Sequence, residues 1–245
     1  MTARQVEPPE RQLEGRVALV TGAGSGLGRA IATAFAHNGA QVGLVGRREA
    51  ELRDTAAIID GAGGVSIVLP CDLDQPPSAI GLAQAIADRY GRLDIFVGNA
   101  GVLGPLGPVA TAPAAAWTAA FTTNVFANLH MLQALYPLLM ASDAGRVIFV
   151  TSGAARGVPL LSGYGASKAA LNVLALSFAG EVSRTPLRVN VVSPGPLRTA
   201  LRSEARPDED SRTVPTPDTV VDVFVELASP RCTRHGEILM LTEKR

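Results

Sequence analysis

Cysteine is scarce: Cys71 and Cys232 are the only two in 245 residues, and they lie far apart. That excludes a disulfide framework and any paired-cysteine metal site. Neither sits directly beside a histidine in sequence, so a thiol nucleophile is not indicated. Two reduced cysteines fit a cytoplasmic chain. Long apolar runs are missing as well. No uninterrupted stretch reaches the roughly 18 residues of a membrane helix. The N-terminal "MTARQVEPPERQLEG" is polar and lacks the apolar centre of a signal peptide. Nor is there an excess of one charge, since 22 basic residues balance 22 acidic ones. With no basic stripe and no acidic tail, neither nucleic acid nor a membrane is expected as a partner. His37, His130 and His235 are isolated, and no metal is expected.

What remains is 47% hydrophobic, enough for a large core in one α/β domain. Residues 1–14 read as a flexible lead-in, and 15–245 as the domain. Short apolar runs at Arg16–Thr21, Gln41–Gly46, Val65–Pro70, Leu93–Gly98, Arg146–Thr151, Arg188–Ser193 and Glu237–Leu241 read as strands. Helical spacing covers Gly26–Asn38, Glu49–Ile59, Ser78–Tyr90, Ala114–Met140, Gly165–Ser183 and Asp218–Ala228. The strands show no period-two alternation, as expected when helices cover both faces of a parallel sheet. Repeated β-α-β units predict a single-domain Rossmann fold, doubly wound, with about seven strands.

The first strand runs into "TGAGSGLG" (Thr21–Gly28) and then a helix. Gly22 suits a tight turn, Gly26 an approach of backbone to phosphate, and Gly28 a close helix contact. The helix N-terminus offers free N–H groups to a pyrophosphate. The spacing is GxxxGxG after Thr21. With "YGASK" (Tyr164–Lys168) far downstream, it resembles the short-chain dehydrogenase/reductase family over about Gly15–Leu241. Other motifs match in order: Asp72–Leu73, "NAG" (Asn99, Ala100, Gly101), Asn124–Val125, Thr151–Ser152, and "SPGPLRT" (Ser193–Thr199). The motif style is similar to the 3-oxoacyl-thioester reductase-like branch, although "GEILMLTEKR" lacks that branch's glycine-ending tail.

Tyr164 and Lys168 are i and i+4, so on a helix they share a face. A free phenol titrates near pH 10. A neighbouring ammonium favours phenolate, and a depression of about 2–3 units would suit general acid/base work. The resemblance implies further roles. Lys168 would hold the nicotinamide-ribose hydroxyls, Ser152 the substrate's carbonyl oxygen, and Asn124 a water linking Lys168 to solvent. Ser152 precedes Tyr164 by 12 positions, whereas Thr151 has the family's commoner spacing. Ser152 is favoured as the second residue of the dipeptide. The turn residues Thr21, Gly22, Ser25, Gly26, Leu27 and Gly28 would cradle the dinucleotide. Asp72 and Leu73 would contact adenine, Asn99, Ala100 and Gly101 would line the cleft, and Pro194 and Gly195 would present Thr199 to the nicotinamide carboxamide.

The second strand ends "LVGRRE", with Gly46 where an acid would bind the ribose of NAD. Arg47, followed by Arg48, can instead clamp a 2′-phosphate, so NADP(H) is expected over NAD(H). The expected activity is NADP(H)-dependent interconversion of a small-molecule carbonyl and a secondary alcohol. The alternative is a cofactor-binding sensor of the same fold without chemistry. Substrate choice would lie in loops 102–113, 153–163 and 196–217. The last mixes arginines and acids with no dominant sign, which argues against a highly charged small substrate. Relatives dimerise through helices matching 114–140 and 165–183, so a homodimer or homotetramer is expected.

Overall fold

The computed structural model describes residues 11–104 and 106–241. Seven parallel strands form one sheet in the order β3-β2-β1-β4-β5-β6-β7. They are β1 (Val17–Thr21), β2 (Gln41–Gly46), β3 (Val65–Pro70), β4 (Ile95–Gly98), β5 (Arg146–Val150), β6 (Arg188–Ser193) and β7 (Ile238–Met240). The expected Rossmann architecture is therefore the observed one. The chain winds outward from β1 to β3, then crosses back to β4. Strand direction of travel reverses at β1 and β4, and the crevice beyond their carboxyl ends is where such sheets bind ligands.

The strands lack alternation because both of their faces are covered. Ala18, Val20, Ile95 and Val97 point to one layer, where α1 (Gly26–His37), α2 (Glu49–Gly61) and α8 (Val221–Ala228) supply Ile31, Phe35, Leu52, Ile59 and Phe224. Val17, Leu19, Phe96 and Phe149 point to the other. There α3 (Pro76–Tyr90), α5 (Ala127–Met140) and α6 (Ser162–Glu181) supply Ile86, Met131, Leu135 and Leu171. Phe96 and Phe149 meet edge to face, with centroids 6.0 Å apart. Each such fully buried side chain contributes about 1.5–3 kcal/mol.

Four expectations are corrected. Residues 1–10 of the expected lead-in lie outside the described residues, but its end is packed. Leu13 is completely buried in the α1 layer, and its amide donates to the Asn38 carbonyl at 3.0 Å. One leucine among polar neighbours carries no periodicity, so the sequence hid it. The expected helix 114–140 is interrupted: α4 (Ala114–Phe121) and α5 are joined by a π-helical turn, Thr122–Phe126. Such turns recur at functional sites, and this one holds Asn124. The helix expected from Gly165 begins at Ser162, which places Tyr164 inside α6. A further short helix, α7 (Ala200–Ala205), rises from the expected loop, and α8 follows a 3-10 turn at Pro217–Val220.

Candidate active site

A cleft of about 840 Å³ opens at the carboxyl ends of β1, β2, β4, β5 and β6. Its floor is the turn from β1 into α1. Gly22 and Gly26 have φ of +66° and +53°, where a side chain would be strained. Gly28 is constrained by space: an added Cβ would lie 2.1 Å from the Gly22 carbonyl oxygen. Ser25 caps α1 without a side-chain bond, so the first-turn N–H groups of a 12-residue helix face the cleft. Arg29 braces the turn from behind, reaching the Gly24 carbonyl and, at 3.1 Å, Thr55. A cradle that excludes a single methyl, at a helix N-terminus, fits a dinucleotide pyrophosphate.

Most of the expected site residues line this cleft: Gly22, Ser25, Gly26, Leu27, Gly28, Arg47, Arg48, Asp72, Leu73, Asn99, Ala100, Gly101, Ser152, Tyr164, Lys168, Pro194, Gly195 and Thr199. Two do not. Thr21 is buried behind the turn, where its hydroxyl donates to Val97 and accepts from the amides of Asn99 and Ala100 at 2.9 and 3.0 Å. It latches β1 to β4 and does not touch the cleft. Asn124 is fully buried; its Oδ1 accepts from the Val102 amide, and its Nδ2 donates to the Val102 carbonyl and to Ser167 Oγ. It clamps the β4 loop to α6. A Cβ on Gly101 would lie 3.1 Å from Asn124 Oδ1 and 3.3 Å from Lys168 Nζ, so both side chains close on the same face of Gly101.

At the far end stand Tyr164, Lys168 and Ser152. Lys168 Nζ donates to the Val150 carbonyl at 2.8 Å and sits 5.9 Å from the Tyr164 ring centroid. Burial pulls its pKa down to about 8. Burial also raises the Tyr164 phenol above its ordinary value, opposed by its hydrogen bond to Ser152. The expected depression is not seen in the protein alone, where loss of water around the phenol outweighs the Ser152 hydroxyl beside it. Of the two candidates before the loop, Ser152 is the one whose hydroxyl acts on the Tyr164 phenol; it also accepts from the Ala154 amide at 3.2 Å. Thr151 is buried, with its hydroxyl turned toward the Lys168 carbonyl at 3.5 Å.

At the adenosine end, Arg48 pairs with Glu51, Nε to Oε1 at 2.5 Å. Arg47 is exposed and pairs with no acid among the described residues. Thr199 caps α7 by accepting from the Arg202 amide, and its methyl faces Gly26 across the cleft.

A family model described as short chain dehydrogenase matches residues 16–210. The chain belongs to the short-chain dehydrogenase family. The oxidoreductase YciK of Escherichia coli K12 is 37% identical over 228 residues, 90% of this chain and 89% of that one. A short chain dehydrogenase from Pseudomonas syringae superposes with a TM-score of 0.92 at 33% identity, covering 95% of this chain and 97% of that one. Another, from Escherichia coli CFT073 and complexed with NADPH, superposes at 0.88 with 36% identity, covering 95% and 99%. As a member of this family the chain is an NAD(P)-dependent oxidoreductase. No helix among the described residues is long and apolar enough to cross a membrane.

Sequence reasoning missed an apolar chamber beside Tyr164, built by Leu103, Ala154, Val158, Leu161, Leu201 and Ala205. Leu201 and Ala205 are i and i+4 on α7, a signal too short to find. It also missed Asp74, whose carboxylate accepts from Thr123 at the cleft wall at 2.8 Å.

Proposed function

We propose that the protein interconverts a carbonyl and a secondary alcohol with NADP(H), with Tyr164 as general acid and base. The observation that carries this reading is the convergence of a buried phenol, a buried ammonium and the Ser152 hydroxyl beside an apolar chamber. The nicotinamide, when bound, supplies or accepts the hydride and, oxidised, carries a positive charge that favours phenolate.

In reduction, the Ser152 and Tyr164 hydroxyls donate to the substrate oxygen and steady its developing charge. Tyr164 gives up its proton to that oxygen as the carbon gains hydride, so the product is the alcohol. The Lys168 ammonium stabilises the phenolate left behind and holds the nicotinamide ribose. Reprotonation is assigned to a relay water held by Lys168 and Asn124, whose side chains both approach Gly101. Oxidation reverses each step. The chamber's apolar lining excludes water from the reacting atoms.

NADP(H) is favoured because Arg47 lines the adenosine end with its guanidinium unpaired among the described residues, while Arg48 neutralises Glu51 there. A guanidinium fork matches a 2′-phosphate. Fluorescence titration with NADPH and NADH checks this. NADPH should bind more tightly, and Arg47→Ala should cut the preference about tenfold. Equal affinities in the parent protein would remove Arg47 as the discriminator.

Homo-oligomer formation is also proposed. Tyr136 and Met140 on α5 and Val173 and Leu176 on α6 are exposed, which supports contact between copies through these helices. Cytoplasmic residence fits the unpaired thiols of Cys71 and Cys232.

A further inference from the structure

By sequence alone, the segment 196–217 carries both signs of charge and favours neither. The fold sorts them. The acids that line the cleft, Glu51, Asp72 and Asp74, come from α2 and the loop after β3; among the described residues, the segments after β5 and β6 line it with Arg156, Arg198, Arg202, Arg206 and the buried Lys168, and with no carboxylate. The acids of the segment are engaged or turned away. Glu209 grips Arg202 through two bonds of 2.6 and 2.5 Å, and Asp210 grips Arg212. Glu204 and Asp208 do not line the cleft.

The four arginines are not equivalent. Arg202 is paired with Glu209, and Arg198 Nε donates to the Val214 carbonyl at 3.2 Å. Arg156 and Arg206 are exposed and make no side-chain hydrogen bond or ion pair among the described residues, although Arg206 lies near enough to Glu209 to help hold that carboxyl below its usual range. Arg156 ends the 3-10 turn Gly153–Arg156, whose Ala154 faces the chamber. Arg206 follows α7 directly after Ala205, which faces the same chamber. Two guanidinium groups with no hydrogen-bonded partner among the described residues thus line the cleft beside the apolar chamber from separate segments.

From this arrangement we infer that the preferred substrate is an apolar ketone or secondary alcohol bearing an anionic group remote from the reacting carbon. The chamber takes the hydrocarbon body, with the carbonyl at Tyr164 and Ser152. The carboxylate or phosphate reaches the rim, where Arg156 and Arg206 receive it through charge-assisted hydrogen bonds. The inference rests on the reductase reading proposed above and adds the class of substrate to it. Because the rim is exposed to solvent, each contact is of surface strength and screened by salt.

The test uses three probes with the same aliphatic chain and ketone: an oxo acid with its carboxylate at the far end, its methyl ester, and the corresponding primary amine. Turnover with NADPH should rank acid over ester over amine in kcat/KM, with about a tenfold acid preference at low salt that shrinks as salt rises. The Arg156→Ala/Arg206→Ala double variant should cut the acid-to-ester ratio about tenfold, and Arg156→Lys should keep part of it. Calorimetric titration of the oxo acid into the protein with NADP+ present, where no reduction can occur, should show the same loss of affinity. Ester and acid turned over equally, with no change in the double variant, would overturn the inference while leaving the reductase reading intact. Failure to reduce any of the three ketones would count against that reading, and the inference would fall with it.

Discussion

Lys168 Nζ sits 5.9 Å from the centre of the Tyr164 ring, one helical turn along α6, and both residues are buried at the wall of the cleft. Lys168 is bonded to the Val150 carbonyl and pairs with no carboxylate among the described residues. The pair is costly to the fold, which points to its use in chemistry.

That cost gives a pH signature. Burial lowers the Lys168 pKa to about 8, so the unfolded chain binds this proton more tightly than the folded one. The folded state is therefore penalised below about pH 8, by on the order of 2–3 kcal/mol, and the penalty lifts as pH rises toward the ordinary lysine value of about 10.4. Lys168→Met should be more stable than the parent protein at pH 7, and the gap should close between pH 8 and 10. Urea unfolding across that range measures it. A parent stability that falls over this window, together with a less stable Met variant, would show the ammonium to be well solvated or paired.

Proton chemistry follows the same groups. The protein raises the Tyr164 phenol, so it is protonated at neutral pH and ready to donate. Carbonyl reduction should be efficient near pH 7, and alcohol oxidation should accelerate as pH rises. Steady-state kcat/KM in both directions, for the parent protein and for Ser152→Ala, checks this. Loss of Ser152 should shift the oxidation profile to higher pH, because the hydroxyl is what opposes the effect of burial on Tyr164.

Gly28 tests the cofactor turn. A Cβ there would meet the Gly22 carbonyl oxygen at 2.1 Å and Asn99 Nδ2 at 2.6 Å. Gly28→Ala must displace the turn, at about 1–3 kcal/mol of stability, and should weaken NADPH binding at least tenfold. Denaturant unfolding and fluorescence titration read the two effects separately.

Stability at the opposite end of the sheet should be separable from catalysis. Asp94 is buried at the start of β4 and accepts from the Val17 amide at 2.8 Å, Ser142 at 2.6 Å and Arg92 at 3.2 Å. Arg16, also buried, lies 3.8 Å from it. Asp94→Ala strips these partners at once and should cost about 3–5 kcal/mol. Activity per folded molecule should remain, since none of these residues lines the cleft.

The fold was legible because its signals are repeated. Seven apolar runs bounded by turns, alternating with helical spacing, became seven strands and their crossovers. The site was legible where backbone chemistry demands particular residues, as at the glycine turn and the i, i+4 pair. Three further features were hidden. The π turn at Thr122–Phe126 leaves helical periodicity intact on both sides. The roles of Thr21 and Asn124 as clamps depend on partners 76 and 22 residues away. The charge of the cleft rim depends on which acids pair with which arginines, which residue counts cannot show. Motif style pointed to the 3-oxoacyl-thioester branch, but those motifs report cofactor and proton chemistry. The apolar chamber proposed for the substrate's body is built by α7 and the loop after β5, where no motif lies.

The central claim is that Tyr164 carries the proton. Tyr164→Phe removes one oxygen from a site that Lys168 and the glycine turn otherwise keep. NADPH affinity, measured by fluorescence titration, should stay within about threefold of the parent protein. Ketone reduction followed by loss of NADPH absorbance should fall by about 10²–10⁴, the range of general acid catalysis. Reduction at the parent rate, with the cofactor bound, would contradict the account.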